Sequence, residues 1–377
     1  MGGISSPIPN ESAHSHAATP DHNSKLKSIK EVAESPNLLS NIPSNYAYFP
    51  EGAASAVDNN DSESHLLDHD SIPVIDFSLL QSASLDQRSK VIRDLGDACQ
   101  RWGFFMVVNH GVPKILMDSM LDKCNEFFNL TSEEKRKFEG KHVLDPIRCG
   151  TSFNTAVEEV NFWRDYLKVM VHPQFHSPSK PPRFSEVSLE YCKQIRHVAR
   201  VLLKGLSASL GLDELEIERS MDLEMGQQIL IANYYPPCPR PDLAIGMPPH
   251  SDHGLLTFLA QNQVDGLQIM HDGKWVPVHA LPNSFLVNTG DHIEIFSNGI
   301  YRSVLHRAVV NSREPRISLA VANGPSLNAI VTPALQLMDN HSDSTGARYK
   351  SMAYGEYVRL QQSSRLNGKS ALDNLRV

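Results

Sequence analysis

Cysteine is sparse and scattered: Cys99, Cys124, Cys149, Cys192 and Cys238 are spread along 377 residues, and no two form a Cys-x-x-Cys pair. That pattern suggests neither a zinc knuckle nor a disulfide framework, and a reducing, cytoplasmic location is the expectation. No apolar run approaches the roughly 20 residues that a transmembrane helix needs. The first residues also lack a basic stretch followed by an apolar one, so secretion is not expected. Basic excess is missing too. A formal charge of −8 and a pI near 6.1 argue against nucleic acid as a partner, because phosphate binding requires a basic surface. Walker and Rossmann fingerprints and internal repeats are absent. Met1-Gly2-Gly3-Ile4-Ser5-Ser6 does fit the myristoylation pattern at Gly2, but no polybasic stretch accompanies it and a single acyl chain anchors weakly.

What is present reads as a folded body behind a polar leader. Residues 1–70 are rich in Ser, Asn, Pro, Asp and His, which predicts a loosely ordered tail, with Tyr46-Ala47-Tyr48-Phe49 able to dock on the body. Residues 71–224 predict an N-terminal α/β region. Strands are expected at Ile72–Asp76 and Gly103–Val108, with helices over 85–102 and 113–128 and a capping box at Thr131-x-x-Glu134. Tyr191, Ile195, Val198, Leu202 and Leu206 form one apolar stripe of a long supporting helix that Gly211 stops. From 225 to 330 the period becomes two. Short runs alternate with turn residues, Asp272-Gly273 and Asn298-Gly299 are hairpin signals, and a sandwich or jelly roll follows. Residues 331–377 are expected to place a helical segment over the mouth of that core.

Chemistry enters at His250-Ser251-Asp252, with His306 following Asp252 by 54 residues and Arg316-Ile317-Ser318 ten residues later. Two imidazoles and one carboxylate make a facial triad, which suits ferrous iron and leaves positions open. His-x-Asp or His-x-Glu is a weak pattern by itself, and most histidines are surface or core residues. It recurs at His292-Ile293-Glu294 and at His341-Ser342-Asp343. His341 has no later histidine to complete a set; His292 is followed by His306 but by little strand of its own. His250 and Asp252 instead precede the apolar run Leu255–Leu259 and can project together from a strand edge. Arg316 and Ser318 share one face of an apolar strand, where an inward cation needs a counter-anion. Fe(II) with one carboxylate keeps one positive charge and Arg316 adds another, so a dicarboxylate spanning metal and arginine cancels both.

With these residues in place, the chain resembles the plant iron(II)/2-oxoglutarate-dependent dioxygenases of small-molecule metabolism. The matching stretches include Trp102-Gly103-Phe104-Phe105, Val108-Asn109-His110-Gly111-Val112, Asn233-Tyr234-Tyr235-Pro236-Pro237-Cys238-Pro239, Gly266-Leu267-Gln268 and His306-Arg307, in addition to the triad and Arg-x-Ser. The resemblance covers about 71 to 375. It implies a mainly β fold with flanking helices, whose core is a double-stranded β-helix (a cupin-like jelly roll). It implies His250, Asp252 and His306 as iron ligands, Arg316 and Ser318 on the distal carboxylate of 2-oxoglutarate, and Asn233 and Tyr235 supporting the cosubstrate. O2 is the co-reactant and ascorbate an activity-supporting reductant. His253, adjacent to the triad, is expected to face away from it.

Many flavonoid-acting relatives carry an aromatic residue where this chain has Ala322, and some place a lysine where it has Ile231. Both departures predict a roomier, more apolar pocket lined by Phe153, Ile231, Phe258, Ala322 and the C-terminal helix, for a small hydrophobic metabolite. The expected outcome is hydroxylation, dealkylation or desaturation by a monomer or weak oligomer. Three other readings compete: a family member that oxidises without 2-oxoglutarate, a catalytically silent metabolite-binding protein on the same barrel, and a zinc hydrolase. The last lacks an H-E-x-x-H base.

Overall fold

The computed structural model describes residues 27–35, 41–49, 71–142, 144–155, 157–338, 346–366 and 368–377; Gly2 and His341 lie outside them. Two sheets face each other across a cavity. The larger runs β1-β2-β10-β7-β12-β5-β4-β3 and the smaller β6-β11-β8-β9. In the larger sheet, β1 is Val74–Asp76, β2 Phe104–Val108, β3 Ile147–Thr151 and β4 Asp165–His172. It also holds β5 (Gln228–Tyr235), β7 (Leu256–Gln261), β10 (Phe285–Thr289) and β12 (Arg316–Asn323). The smaller sheet comprises β6 (Met247–His250), β8 (Leu267–His271), β9 (Lys274–Pro277) and β11 (His306–Ala308). Among the strands of the described residues only β1 and β2 pair in parallel. A short pair, β13 (Ile330–Val331) and β14 (Met352–Ala353), stands apart. The jelly-roll core is therefore present, and strands from residues 71–224 extend its larger sheet at both ends.

Ten α-helices accompany the sheets among the described residues. They are α1 (Ile29–Ala33), α2 (Phe77–Leu80), α3 (Leu85–Arg101), α4 (Lys114–Phe128), α5 (Ser132–Arg136) and α6 (Phe184–Ser209). After them come α7 (Glu216–Ser220), α8 (Asp291–Phe296), α9 (Tyr354–Ser363) and α10 (Ser370–Asp373). The apolar stripe of α6 is buried, and Gly211 at φ +74° ends the helix where a side chain would be strained. The capping box of Thr131 and Glu134 opens α5. None of these helices is long and apolar enough to cross a membrane.

Period two decides which side chains reach the cavity. On β12, Ile317, Leu319 and Val321 join the core under the helices, while Arg316, Ser318, Ala320 and Ala322 line the cavity. On β7 the same parity sends Thr257 and Leu259 inward to the cavity and Phe258 to the core. Phe258 is fully buried against Phe285, ring centroids 5.9 Å apart, so its assignment to the pocket is corrected. The apolar run is a strand as expected, but its phase differs from the expected one by one residue.

Two turn signals have different outcomes. Asp272 and Gly273, both at positive φ, join β8 to β9 as a hairpin. Asn298 and Gly299 instead close the end of α8. The Asn298 side chain donates to the carbonyls of Leu337 and Gly346 and accepts from the Arg348 amide. That helix ties down the C-terminal segment: buried Glu294 accepts from Tyr349 (2.7 Å), Lys369 (2.7 Å) and Arg376 (3.0 Å). The segment is two helices rather than one, and Gly368 bridges to β6 beside His250.

Part of the polar leader is docked. The carboxylate of Asp165, buried on β4, accepts from the Ser28 hydroxyl (2.5 Å) and from the Ile29 (2.9 Å) and Lys30 (3.2 Å) amides, capping α1 from another element. Tyr46 packs edge-on against Trp163 at 5.4 Å, whereas Phe49 is exposed. Removing the carboxylate with Asp165→Ala strands those donors, at a cost of about 1–3 kcal/mol. The expected result is accelerated tryptic cleavage at Lys30 with a lowered Tm. An unchanged digestion pattern contradicts the docking.

Candidate active site

The smaller sheet brings the triad together. β6 and β11 pair at His250 and His306, setting the two rings side by side with centroids 4.2 Å apart. Asp252 Oδ1 lies 3.9 Å from His250 Nε2 and 3.7 Å from His306 Nε2. One ligand-capable atom from each residue lies within 4.8 Å of the other two. Donors at those separations can share one ion at bonds of about 2 Å.

Each ligand is oriented by the atom it does not offer. His250 Nδ1 is 2.9 Å from the Pro248 carbonyl, and His306 Nδ1 is 3.2 Å from the Val304 carbonyl. A carbonyl only accepts, so Nδ1 carries the proton and Nε2 keeps its lone pair toward the centre. Asn288 on β10 donates to Asp252 Oδ2 at 2.9 Å and leaves Oδ1 free. Burial, with His306 nearby, brings His250 down to about 3. Burial opposes ionisation of Asp252, but His306, His250 and Asn288 outweigh it and bring the carboxyl to about 2. At neutral pH His250 is therefore uncharged and Asp252 ionised, the state that binds a metal.

Arg316 and Ser318 line the same cavity on β12. Arg316 is buried, donates to Gln261 Oε1 at 2.7 Å and lies 5.2 Å from the Tyr235 ring centroid. Its Nε has no partner, and no carboxylate among the described residues pairs with it. Asn233 donates to Ser318 Oγ at 3.3 Å and keeps an unpartnered buried Oδ1. Gly266 gives the arginine its room, since a Cβ there would stand 2.9 Å from Arg316 Cδ. A buried guanidinium with a free donor fits a carboxylate, and the donor set of the triad fits Fe(II).

Phe153, Ile231 and Ala322 line the cavity as expected. His253 is turned away from the triad, with Nδ1 2.8 Å from the Tyr354 hydroxyl. His292 is fully buried on α8 between the edges of Tyr354 and Tyr357, with neither ring nitrogen hydrogen-bonded, and it makes no part of the triad. Several lining residues were missed: Arg164 just before β4, Lys168 on β4, Asn288, and Leu366 beyond α9, whereas Gln361 and Gln362 on α9 answer the expectation of a C-terminal helix. The signal for β4 was there. Leu167, Val169 and Val171 alternate with Tyr166, Lys168 and Met170, and the first set is buried.

A fold and a site of this kind define a class, the non-haem iron oxygenases on a jelly roll. The sequence profile of the "2OG-Fe(II) oxygenase superfamily" matches residues 226–325, and that of the "non-haem dioxygenase in morphine synthesis N-terminal" region matches 72–189. "2-Oxoglutarate-dependent dioxygenase 19" of Oryza sativa subsp. japonica is 44% identical over 87% of this chain and 95% of its own length. Thebaine 6-O-demethylase of Papaver somniferum is 38% identical over 94% and 96%. Among solved structures, JOX2 in complex with 2OG, Fe and JA superposes with a TM-score of 0.81 at 30% identity, covering 93% of this chain and 98% of that one. The chain belongs to the plant 2-oxoglutarate- and iron(II)-dependent dioxygenase family. It is an oxidoreductase of small molecules whose cofactors are Fe(II) and 2-oxoglutarate.

Two substitutions separate ligand from support. His306→Ala is expected to abolish Fe(II) binding measured by calorimetry. Asn288→Ala leaves the three ligands and should weaken Fe(II) about 10- to 100-fold, as losses of a ligand's hydrogen-bond partner do. Equal affinities in Asn288→Ala and the parent protein contradict the role given to Asn288.

Proposed function

We propose that this protein oxidises a C–H bond of a hydrophobic plant small molecule, by hydroxylation, O- or N-dealkylation or desaturation, with release of succinate and CO2. His250, Asp252 and His306 are the residues that would hold iron. Arg316 and Ser318, flanked by Asn233 and Tyr235, would hold the distal carboxylate of 2-oxoglutarate. When bound, iron and 2-oxoglutarate together with O2 supply an oxidant strong enough for an unactivated C–H bond. The chain's own residues decide where that oxidant is aimed. Phe153, Ile231 and Ala322 offer apolar wall, and Gln361, Gln362 and Leu366 line the cavity from the C-terminal side. Ascorbate is expected to sustain turnover.

The observation that carries this reading is Arg316, a buried cation with a free Nε and no acidic partner among the described residues, lining the same cavity as the triad from the facing sheet. It supports use of a dicarboxylate cosubstrate, while the intact triad argues against a protein that only binds. Relatives named for O-demethylation of thebaine and for 3-dioxygenation of flavanone agree with the range of outcomes.

The experiment incubates the protein with Fe(II), 2-oxoglutarate, ascorbate and a panel of hydrophobic plant metabolites and reads masses. Gain of oxygen, loss of CH2 and loss of two hydrogens mark the three outcomes. Succinate formation should rise with the accepted substrate and vanish in His306→Ala. Product formed equally well without 2-oxoglutarate, or undiminished in His306→Ala, refutes the proposal.

A further inference from the structure

Cations outnumber anions on the cavity wall: Arg164, Lys168, Arg307 and Arg316 are opposed by Asp252 alone. A ferrous ion and a bound dicarboxylate cancel each other, so loading both cofactors leaves three positive charges in excess. Most of these have local company. Under the function proposed above, Arg316 is matched by the cosubstrate. Arg307 lies 4.2 Å from the Trp275 ring centroid and donates to Gln268. Arg164 donates twice to the Ser152 carbonyl and lies 5.0 Å from the Tyr166 ring centroid.

Lys168 is different. Its Nζ donates to Gln362 Oε1 at 3.1 Å and lies 5.2 Å from the Phe153 ring centroid and 5.9 Å from that of Tyr166. Among the described residues no carboxylate forms an ion pair with it. Burial, then Arg148 and Arg164, push its pKa well below the ordinary lysine range against the opposing pull of Asp252, so an anion placed beside it would restore the charged form.

Strand register separates this lysine from the cosubstrate. Lys168 pairs with Ile231, Ile231 with Ala320, and Ala320 with Leu259, giving one row across four strands. The Tyr235–Arg316 row lies four residues away along β5, with the Asn233–Ser318 row between them. At about 3.3 Å per residue the two rows are roughly 13 Å apart. Ile231, whose identity suggested a more apolar pocket, thus stands directly opposite a lysine on the neighbouring strand. The wall is apolar at 231 and cationic at 168.

We infer that Lys168 anchors a carboxylate on the molecule to be oxidised, so that the preferred substrate is a small acid with an aromatic or aliphatic body. Phe153, Ile231 and Ala322 would contact that body. The inference rests on the oxygenase reading only in taking this acid as the substrate; the anion site itself does not depend on it.

Binding of paired probes tests it. A panel of aromatic and aliphatic monocarboxylates (benzoate, phenylacetate, 4-phenylbutyrate) and their uncharged amides is titrated by calorimetry into the full chain, with Fe(II) and saturating 2-oxoglutarate under anaerobic conditions. At least one acid should bind tenfold or more tightly than its amide. Lys168→Gln should erase that preference and Lys168→Arg restore it, with 2-oxoglutarate affinity unchanged in both. Three results overturn the inference: no acid surpassing its amide, a preference that survives Lys168→Gln, or a loss of 2-oxoglutarate affinity that assigns Lys168 to the cosubstrate. Failure of the oxygenase reading would show separately, as absent succinate in air with the acid preference intact.

Discussion

The pairing of β6 with β11 at His250 and His306 is the constraint on which the site depends. It sets two imidazoles side by side, and the chain two residues beyond His250 supplies the carboxylate between them. Burying an ionised carboxylate is costly unless hydrogen bonds and opposite charge compensate it. Asn288 meets one oxygen, and the other faces the imidazole nitrogens that a divalent cation would join. The arrangement is thus built for an ion. Its polarity is set by backbone carbonyls behind each ring, which leave only Nε2 available inward.

Around that centre the larger sheet acts as a ruler. Alternate residues of β5, β7 and β12, joined by Lys168 of β4, face the cavity, so chemistry is laid out in rows. The Tyr235–Arg316 row carries a guanidinium over an aromatic ring, the next carries Asn233 and Ser318, and the third carries Lys168 and Ile231. The opposite faces of the same strands supply the core beneath α4 and α6. One periodicity therefore provides both stability and placement, and the rows keep the two cationic ends of the cavity apart. The C-terminal segment completes the enclosure. Its Lys369 and Arg376 meet buried Glu294 on α8, whose first amide in turn bonds to the Asp252 carbonyl.

Much of this was legible from residue order. The triad and Arg-x-Ser are i, i+2 patterns, and such patterns survive in the sequence because adjacent same-face positions of one strand are always two apart. Long helices with strong stripes and caps, such as α3 and α6, were legible for the same local reason. What was missed depends on non-local pairing. The alternation around Lys168 marks a strand, but that this strand joins the cavity wall, like the placement of Asn288, follows only from register with other strands. Phe258 shows the limit of period two when both faces of a strand are largely apolar: Phe258, Leu259 and Ala260 alternate in direction but not in polarity, so the phase is hidden. Asn298-Gly299 ended a helix rather than a hairpin, because left-handed backbone serves both uses. Ser28 and Tyr46 are held by Asp165 and Trp163, partners more than a hundred residues away.

The most direct measurement is a crystal structure of the protein with Fe(II) and 2-oxoglutarate, grown anaerobically, with anomalous data collected at the iron edge. A single peak within bonding distance of His250 Nε2, Asp252 Oδ1 and His306 Nε2, with a cosubstrate carboxylate on Arg316, is the result this account predicts. Iron bound elsewhere, or a cosubstrate whose distal carboxylate leaves Arg316 unpaired, would contradict it.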